Sequence, residues 1–172
     1  MAEAGVKLLP VPVLVLVLVL VLLGCSLAHG SRCDVMNQLR RSLDKLSAPD
    51  PHGLDGEHFM AKLVCYANVA NGLNTSAVTQ LDGRGPNVTF YGTFQLPNDL
   101  VCSDGTVASR NLCEQDCSNF VNSDIEDDAL CLFRLLLLFL EHGFEADQKI
   151  QQYIQLIFNP ACANALDDGY AC

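Results

Sequence analysis

Hydrophobic and polar positions divide this chain into a few distinct stretches. Behind Lys7 an apolar run extends from Leu8 to Leu23, with Val and Leu alternating from Val13, and Ala28-His29-Gly30 follows. A short apolar run after a basic residue, ending in small residues, predicts a secretory signal peptide over 1–30. The run is too short and too early for a membrane span, which takes ~20 apolar residues. From Asp34 to Leu46 the residues Val35, Met36, Leu39, Leu43 and Leu46 recur at helical spacing. Pro49 to Gly56 breaks that pattern. A second helix is predicted over Glu57–Asn71, carrying Phe59, Leu63, Val64, Tyr66, Ala67 and Ala70 and stopped by Gly72.

The character then changes. Between Asn74 and Asn98, Thr, Val and Phe alternate with Gly, Pro and Asn; Asp82-Gly83 marks a turn, and Val88 to Leu96 predicts a short strand or hairpin. Cys102 to Asn122 is loop-rich. Ile125 to His142 predicts a helix whose Leu130–Leu140 run is apolar apart from Arg134, too short to span a bilayer and best placed in a core. Gly143 ends it. A last helix, Asp147 to Phe158, gathers Ile150, Tyr153, Ile154, Ile157 and Phe158 on one face before Asn159-Pro160. No internal repeat or long linker is visible. Helices, a small sheet region, then helices is an α+β plan in one domain, residues 31–172.

Composition narrows the function. The net charge is −10, and residues 1–30 carry one Glu and one Lys, so the remainder keeps all of it. Such a surface is a poor partner for nucleic-acid phosphates or anionic membranes. Beyond Cys25 there are eight cysteines: Cys33, Cys65, Cys102, Cys113, Cys117, Cys131, Cys162 and Cys172. An even number in an exported domain reads as four disulfides, and eight cysteines allow 105 pairings that spacing alone does not resolve. Zinc is disfavoured, because there is no C-x-x-C and the four histidines are scattered. Leu22-Leu23-Gly24-Cys25 faintly resembles a bacterial lipoprotein cleavage site. The sequons Asn74-Thr75-Ser76 and Asn87-Val88-Thr89 favour a eukaryotic secretory route instead, with Asn74 and Asn87 as glycosylation candidates.

The stretch from Cys113-Glu-Gln-Asp-Cys117 through Phe120, Asp124-Ile125 and Cys131 resembles the signature of the c-type lysozyme and α-lactalbumin family. Val64-Cys65-Tyr66-Ala67 with Gly72-Leu73-Asn74-Thr75 is similar to the end of that family's second helix. Tyr91-Gly92-Thr93-Phe94-Gln95 and Cys102-Ser103-Asp104-Gly105 are similar to its central strand and turn. Extra residues around Pro49 to Gly56 and between Cys131 and Cys162 depart from the pattern. The resemblance implies a lysozyme-like fold, a helical lobe with a small antiparallel β lobe, and the bridges Cys33–Cys172, Cys65–Cys162, Cys102–Cys117 and Cys113–Cys131.

Glycoside cleavage uses two carboxyl groups, one protonating the leaving oxygen and one attacking or stabilising the sugar cation. By resemblance these positions are occupied here by Ala70 and Phe90, neither of which exchanges a proton. The sugar platform before Cys102, often Trp in active members, is Leu100 and Val101, and the chain has no Trp. Gln95 is kept in the cleft, and Pro97 replaces a usual Asn. The sequence therefore predicts no catalytic residues and a secreted, non-catalytic glycoprotein acting by binding a protein or glycan ligand, as a monomer, with gamete recognition in the acrosome one context the resemblance suggests. The alternatives are a muramidase-like hydrolase with relocated carboxylates (Asp82, Asp99 or Asp104) and an α-lactalbumin-like modifier of a glycosyltransferase. If part of the Leu130–Leu140 run were exposed, oligomerisation would follow.

The resemblance also implies a calcium loop. Asn119 and Asp124 would offer backbone carbonyls, and Asn122, Asp127 and Asp128 side chains. Calcium takes six to eight oxygens. Asn122 stands where most calcium-binding members have Asp, which should weaken the site. A competing reading is a capping box, Ser123-x-x-Glu126, with first-turn acids favoured by the helix dipole.

Overall fold

A computed structural model of the chain describes residues 32–46, 53–80 and 88–172. The signal-peptide reading, Cys25, the segment 47–52, the Asp82-Gly83 turn and Asn87 lie outside the described residues. Helix α1 (32–45) buries Val35, Met36 and Leu39, the positions its spacing marks, and α2 (Glu57–Asn71) buries Met60, Ala61 and the run Leu63–Ala67. Gly72, at φ 70°, ends α2 in a left-handed conformation that suits glycine.

Three two-residue strands follow. β1 (Val78–Thr79), β2 (Phe90–Tyr91) and β3 (Leu96–Pro97) form an antiparallel sheet in that order, with Val78 opposite Tyr91 and Phe90 opposite Pro97. The loop-rich stretch holds β4 (Cys102–Ser103) and β5 (Gln115–Asp116), whose pairing is parallel, so the β lobe is not wholly antiparallel. Parallel pairing requires a long crossover, here the segment between Ser103 and Gln115. A 3-10 helix, Cys117–Val121, leads to α3 (Glu126–His142), and α4 (Gln148–Ile157) is N-capped by the Asp147 carboxylate, which accepts from Lys149 N at 2.8 Å.

The core lies between α1, α2, α3 and α4. Leu132, Phe133, Leu135 and Leu136 of α3 are buried there, while Leu137, Leu138 and Phe139 are half-buried and Leu140 is exposed. The Leu-rich run thus serves the core with its first half. Four disulfides hold the arrangement: Cys33–Cys172 joins α1 to the last residue, Cys65–Cys162 joins α2 to the turn after α4, Cys102–Cys117 joins β4 to the 3-10 helix, and Cys113–Cys131 ties the β4–β5 crossover to α3. Each contributes about 2–4 kcal/mol, chiefly by restricting the unfolded chain. Among the described residues, no helix is long and apolar enough to cross a membrane.

Candidate functional site

The groove is built around the turn Gly92–Gln95 that connects β2 and β3. Gly92, at φ 69°, packs so closely that a Cβ would lie 2.1 Å from the Phe120 carbonyl and 2.3 Å from Asp128 Oδ1. Every neighbouring element grips this turn. Asn71 Nδ2, at the end of α2, donates to the carbonyls of Gly92 and Thr93 at 2.9 and 3.1 Å. Tyr153 OH of α4 and Tyr66 OH of α2 donate to the Phe94 carbonyl at 2.7 and 3.3 Å. Asp128 of α3 accepts from Thr93 N at 3.2 Å. Gln95, itself at φ 50°, is buried, donates from Nε2 to the Gly92 carbonyl at 3.0 Å and accepts from the Thr79 hydroxyl.

Beside the turn is a cavity of about 290 Å³, lined by Tyr66, Val69, Ala70, Gln95, Leu156 and Asn159. Ala70 is exposed and presents only a methyl group. Phe90 is fully buried at 0% exposure, as are Leu100 and Val101. These three side chains are packing residues, so Leu100 and Val101, expected at the sugar-platform positions of the cleft, do not line the groove. Apolar side chains beside a desolvated sheet gain more from the core than from water.

The carboxylates offered as replacements are committed elsewhere. Asp104 accepts from Tyr91 OH at 2.8 Å, Asn98 Nδ2 at 2.7 Å, and Thr106 N and Oγ1 at 2.9 and 2.8 Å. Burial would raise its pKa, but these hydrogen bonds outweigh burial and hold it at about 2. The same contact works the other way on Tyr91, which burial and the Asp104 partner push up to about 12. Asp104 is therefore a fixed anion that braces the β lobe, and it has no proton to give near neutrality. Asp99 is paired with Lys149 Nζ at 2.9 Å. Asp82 lies outside the described residues.

The second candidate site, 119–128, closes on itself. Asn122 Nδ2 donates to the Asn119 carbonyl at 2.6 Å, and Asn122 Oδ1 accepts from Asp124 N at 2.7 Å. Asp124 Oδ1 accepts from Glu126 N at 3.1 Å, and the N-cap residue of α3, Ile125, has no side-chain cap. The capping box read at Ser123 is thus replaced by an Asp124 contact. Asp128 is 1% exposed, and its Oδ2 is buried without a hydrogen-bond partner. Desolvation, reinforced by the neighbouring Asp127, pushes its pKa up to about 8 against the Thr93 hydrogen bond; Asp127 is raised for the same leading reason. Among the described residues, no three His, Cys, Asp or Glu side chains are drawn together around one point.

The sequence reading missed the residues that hold the turn. The sequence marks Tyr66 and Tyr153 as apolar-face positions and Asn71 only as a helix end, and nothing local signals their hydrogen bonds, whose partners lie 21 to 59 positions away. A sequence profile of the C-type lysozyme/alpha-lactalbumin family matches residues 29–167. The chain belongs to that family. Human alpha-lactalbumin is 30% identical over 101 residues, 55% of this chain and 68% of that protein. The milk isozyme of lysozyme C from Equus caballus is 34% identical over 106 residues, 62% of this chain and 74% of its own length. Sperm acrosome-associated protein 5 of Mus musculus is 30% identical over 106 residues, covering 60% of this chain and 58% of that one. Canine milk lysozyme is a solved structure similar to it, with a TM-score of 0.48 and 27% identity over 70% of this chain and 82% of that chain.

Within this lysozyme-like fold, the loop residues fit a cation in two respects and resist it in one. Asp124 and Asp127 are acidic residues beside the loop, and the unpartnered Oδ2 of Asp128 is a buried oxygen with no donor to it. Against this, the Asn122 amide nitrogen occupies the Asn119 carbonyl that would otherwise face an ion.

Proposed function

We propose that this member of the C-type lysozyme/alpha-lactalbumin family is a secreted, non-catalytic glycoprotein that acts by binding a protein or glycan in its groove. The observation that carries the reading is the pair Ala70 and Phe90: the first faces the groove without a titratable group, and the second is sealed in the core. General acid and nucleophile both require a carboxyl group within reach of the scissile bond. The engagement of Asp99 with Lys149 and of Asp104 with Tyr91, Asn98 and Thr106 supports the same conclusion. Asn74, in the first sequon, is exposed, as a glycan acceptor must be.

Calcium forms part of this reading. The carbonyls of Asn119 and Asp124 and the side chains of Asn122, Asp127 and Asp128 would hold the ion, which supplies positive charge to a loop joined by Asp128 to the groove turn. Binding costs the Asn122–Asn119 hydrogen bond, so the site is a weak one. The deciding assay is hydrolysis of peptidoglycan and chitooligosaccharides by purified 31–172, with calcium present and absent. No cleavage above background is expected in either condition; bond cleavage would overturn the non-catalytic reading.

A further inference from the structure

Tyr66 and Gln95, both buried, form the floor of the cavity beside Ala70. Val69 and Ala70, exposed on the last turn of α2, and the half-buried Leu156 and Asn159, at the end of α4 and just beyond it, form its rim. The polar atoms of the floor are already engaged. Tyr66 OH donates to the Phe94 carbonyl at 3.3 Å, and Gln95 donates from Nε2 to the Gly92 carbonyl while its Oε1 accepts from the Thr79 hydroxyl. These bonds hold the groove turn, so a ligand that drew on them would loosen it. At the rim, Asn159 Oδ1 accepts from Ala161 N at 2.9 Å. A pyranose ring placed here would give up water at several hydroxyl groups and find few partners in return.

Charge points the same way. The chain carries a net charge of −10, yet no charged side chain lines this cavity. An arginine or a carboxylate entering it would be buried without a counter-ion, so the lining matches an uncharged, apolar group. At about 290 Å³ the cavity lies at the foot of the ~300–1,000 Å³ range of ligand sites, room for one ring system and not for a chain of sugars. Val69 carries the match outward. It is 49% exposed, one of four large hydrophobic side chains exposed among the described residues. A small molecule enclosed by the cavity would leave it wet, whereas a protein surface would cover it. We infer that the groove is a socket for a partner protein, which seats an aromatic side chain between Val69, Ala70 and Leu156 above the Gln95 floor. This rests on the reading of the groove as a binding site and narrows its ligand to protein. Aromatic anchors buried in such pockets carry much of the binding energy at protein interfaces.

The chain contains no Trp, so indole emission from a ligand is read without tryptophan background. The probe is the blocked tripeptide N-acetyl-Gly-Trp-Gly-amide, titrated with the purified protein and followed by fluorescence anisotropy. Saturable binding is expected with Kd of about 1 mM, undisturbed by an excess of chitotriose or of N-acetyl-Gly-Ala-Gly-amide. Ala70→Phe fills the cavity from an exposed position and should weaken binding about tenfold. Val69→Ser removes the apolar lip, also from an exposed position, and should weaken it about threefold. Far-UV circular dichroism checks the fold of each variant, and either one that folds decides the matter. Absent binding, affinity unchanged in a folded variant, or displacement of the probe by chitotriose overturns the inference. Displacement by chitotriose would still leave the groove a binding site. Glycoside cleavage by the wild type would instead overturn the non-catalytic reading and leave the peptide result standing.

Discussion

Asp128 Oδ1 accepts a hydrogen bond from the backbone N–H of Thr93 at 3.2 Å, while its other oxygen, buried beside it, has no partner. One carboxylate on α3 thereby joins the 119–128 loop to the turn that shapes the groove. Its protonation, or a cation bound to it, acts on both.

The first prediction concerns pH in metal-free buffer. Asp128 is raised to about 8 in the folded protein, so the folded state holds a proton that the unfolded chain releases near pH 4. Stability should therefore fall as pH rises from about 4 to 8, by at most about 1.4 kcal/mol per unit from this one group. Asp104, held at about 2, acts in the opposite sense: its contribution is complete above pH 4 and is lost as pH falls toward 2. Urea denaturation across this range should show the decline, and Asp128→Asn should flatten the upper limb. An unchanged slope in that variant would assign the pH dependence to another group.

Asn122→Asp should strengthen the calcium site proposed for the 119–128 loop. The variant loses the amide donor to the Asn119 carbonyl, costing about 1 kcal/mol without metal. It gains a negative charge on the ion, worth about tenfold in affinity, or 1.4 kcal/mol. Isothermal titration of both proteins with CaCl₂ measures the difference, and equal affinities would remove Asn122 from the ligand set.

Placing carboxyl groups at positions 70 and 90, the pair proposed to stand in the catalytic positions, should fail for a structural reason. Ala70→Glu is expected to fold, because position 70 is exposed. Phe90→Asp buries a charge and empties a large side-chain volume at a site of 0% exposure, a loss of about 4 kcal/mol or more. Thermal melts of the single variants should separate the two effects. A Phe90→Asp protein as stable as the wild type would show that the strand can turn this position outward.

Gly92→Ala tests the close approach of the groove turn to α3. The new Cβ meets the Phe120 carbonyl and Asp128 within 2.3 Å at a positive φ. A destabilisation of about 3 kcal/mol is expected, read as a shift of the denaturation midpoint. A shift below about 1 kcal/mol would mean that the turn relaxes freely.

The helices were legible because burial imposes a period on the chain. Val35, Met36 and Leu39, or Ile150, Tyr153, Ile154 and Ile157, must share a face to leave water together. The β2–β3 hairpin was legible in the pattern of Val88 to Leu96, whereas the turn marked at Asp82-Gly83 lies outside the described residues. The parallel pairing of Cys102–Ser103 with Gln115–Asp116 was not, since two-residue strands carry no period.

The candidate site divides along the same line. The sequence by itself determined which chemistry the named positions lack: alanine and phenylalanine carry no proton, whatever surrounds them. It also determined that acids crowd the start of α3. Tertiary structure alone decided where those residues point, sending Ala70 to the groove and Phe90, Leu100 and Val101 into the core. It likewise decided that Asp99 meets Lys149 fifty positions away and that Asp128 is buried against Thr93. The physical reason is that electrostatics and burial depend on distance through space, and a carboxylate's partner, pKa and reach are set only when the chain has folded around it.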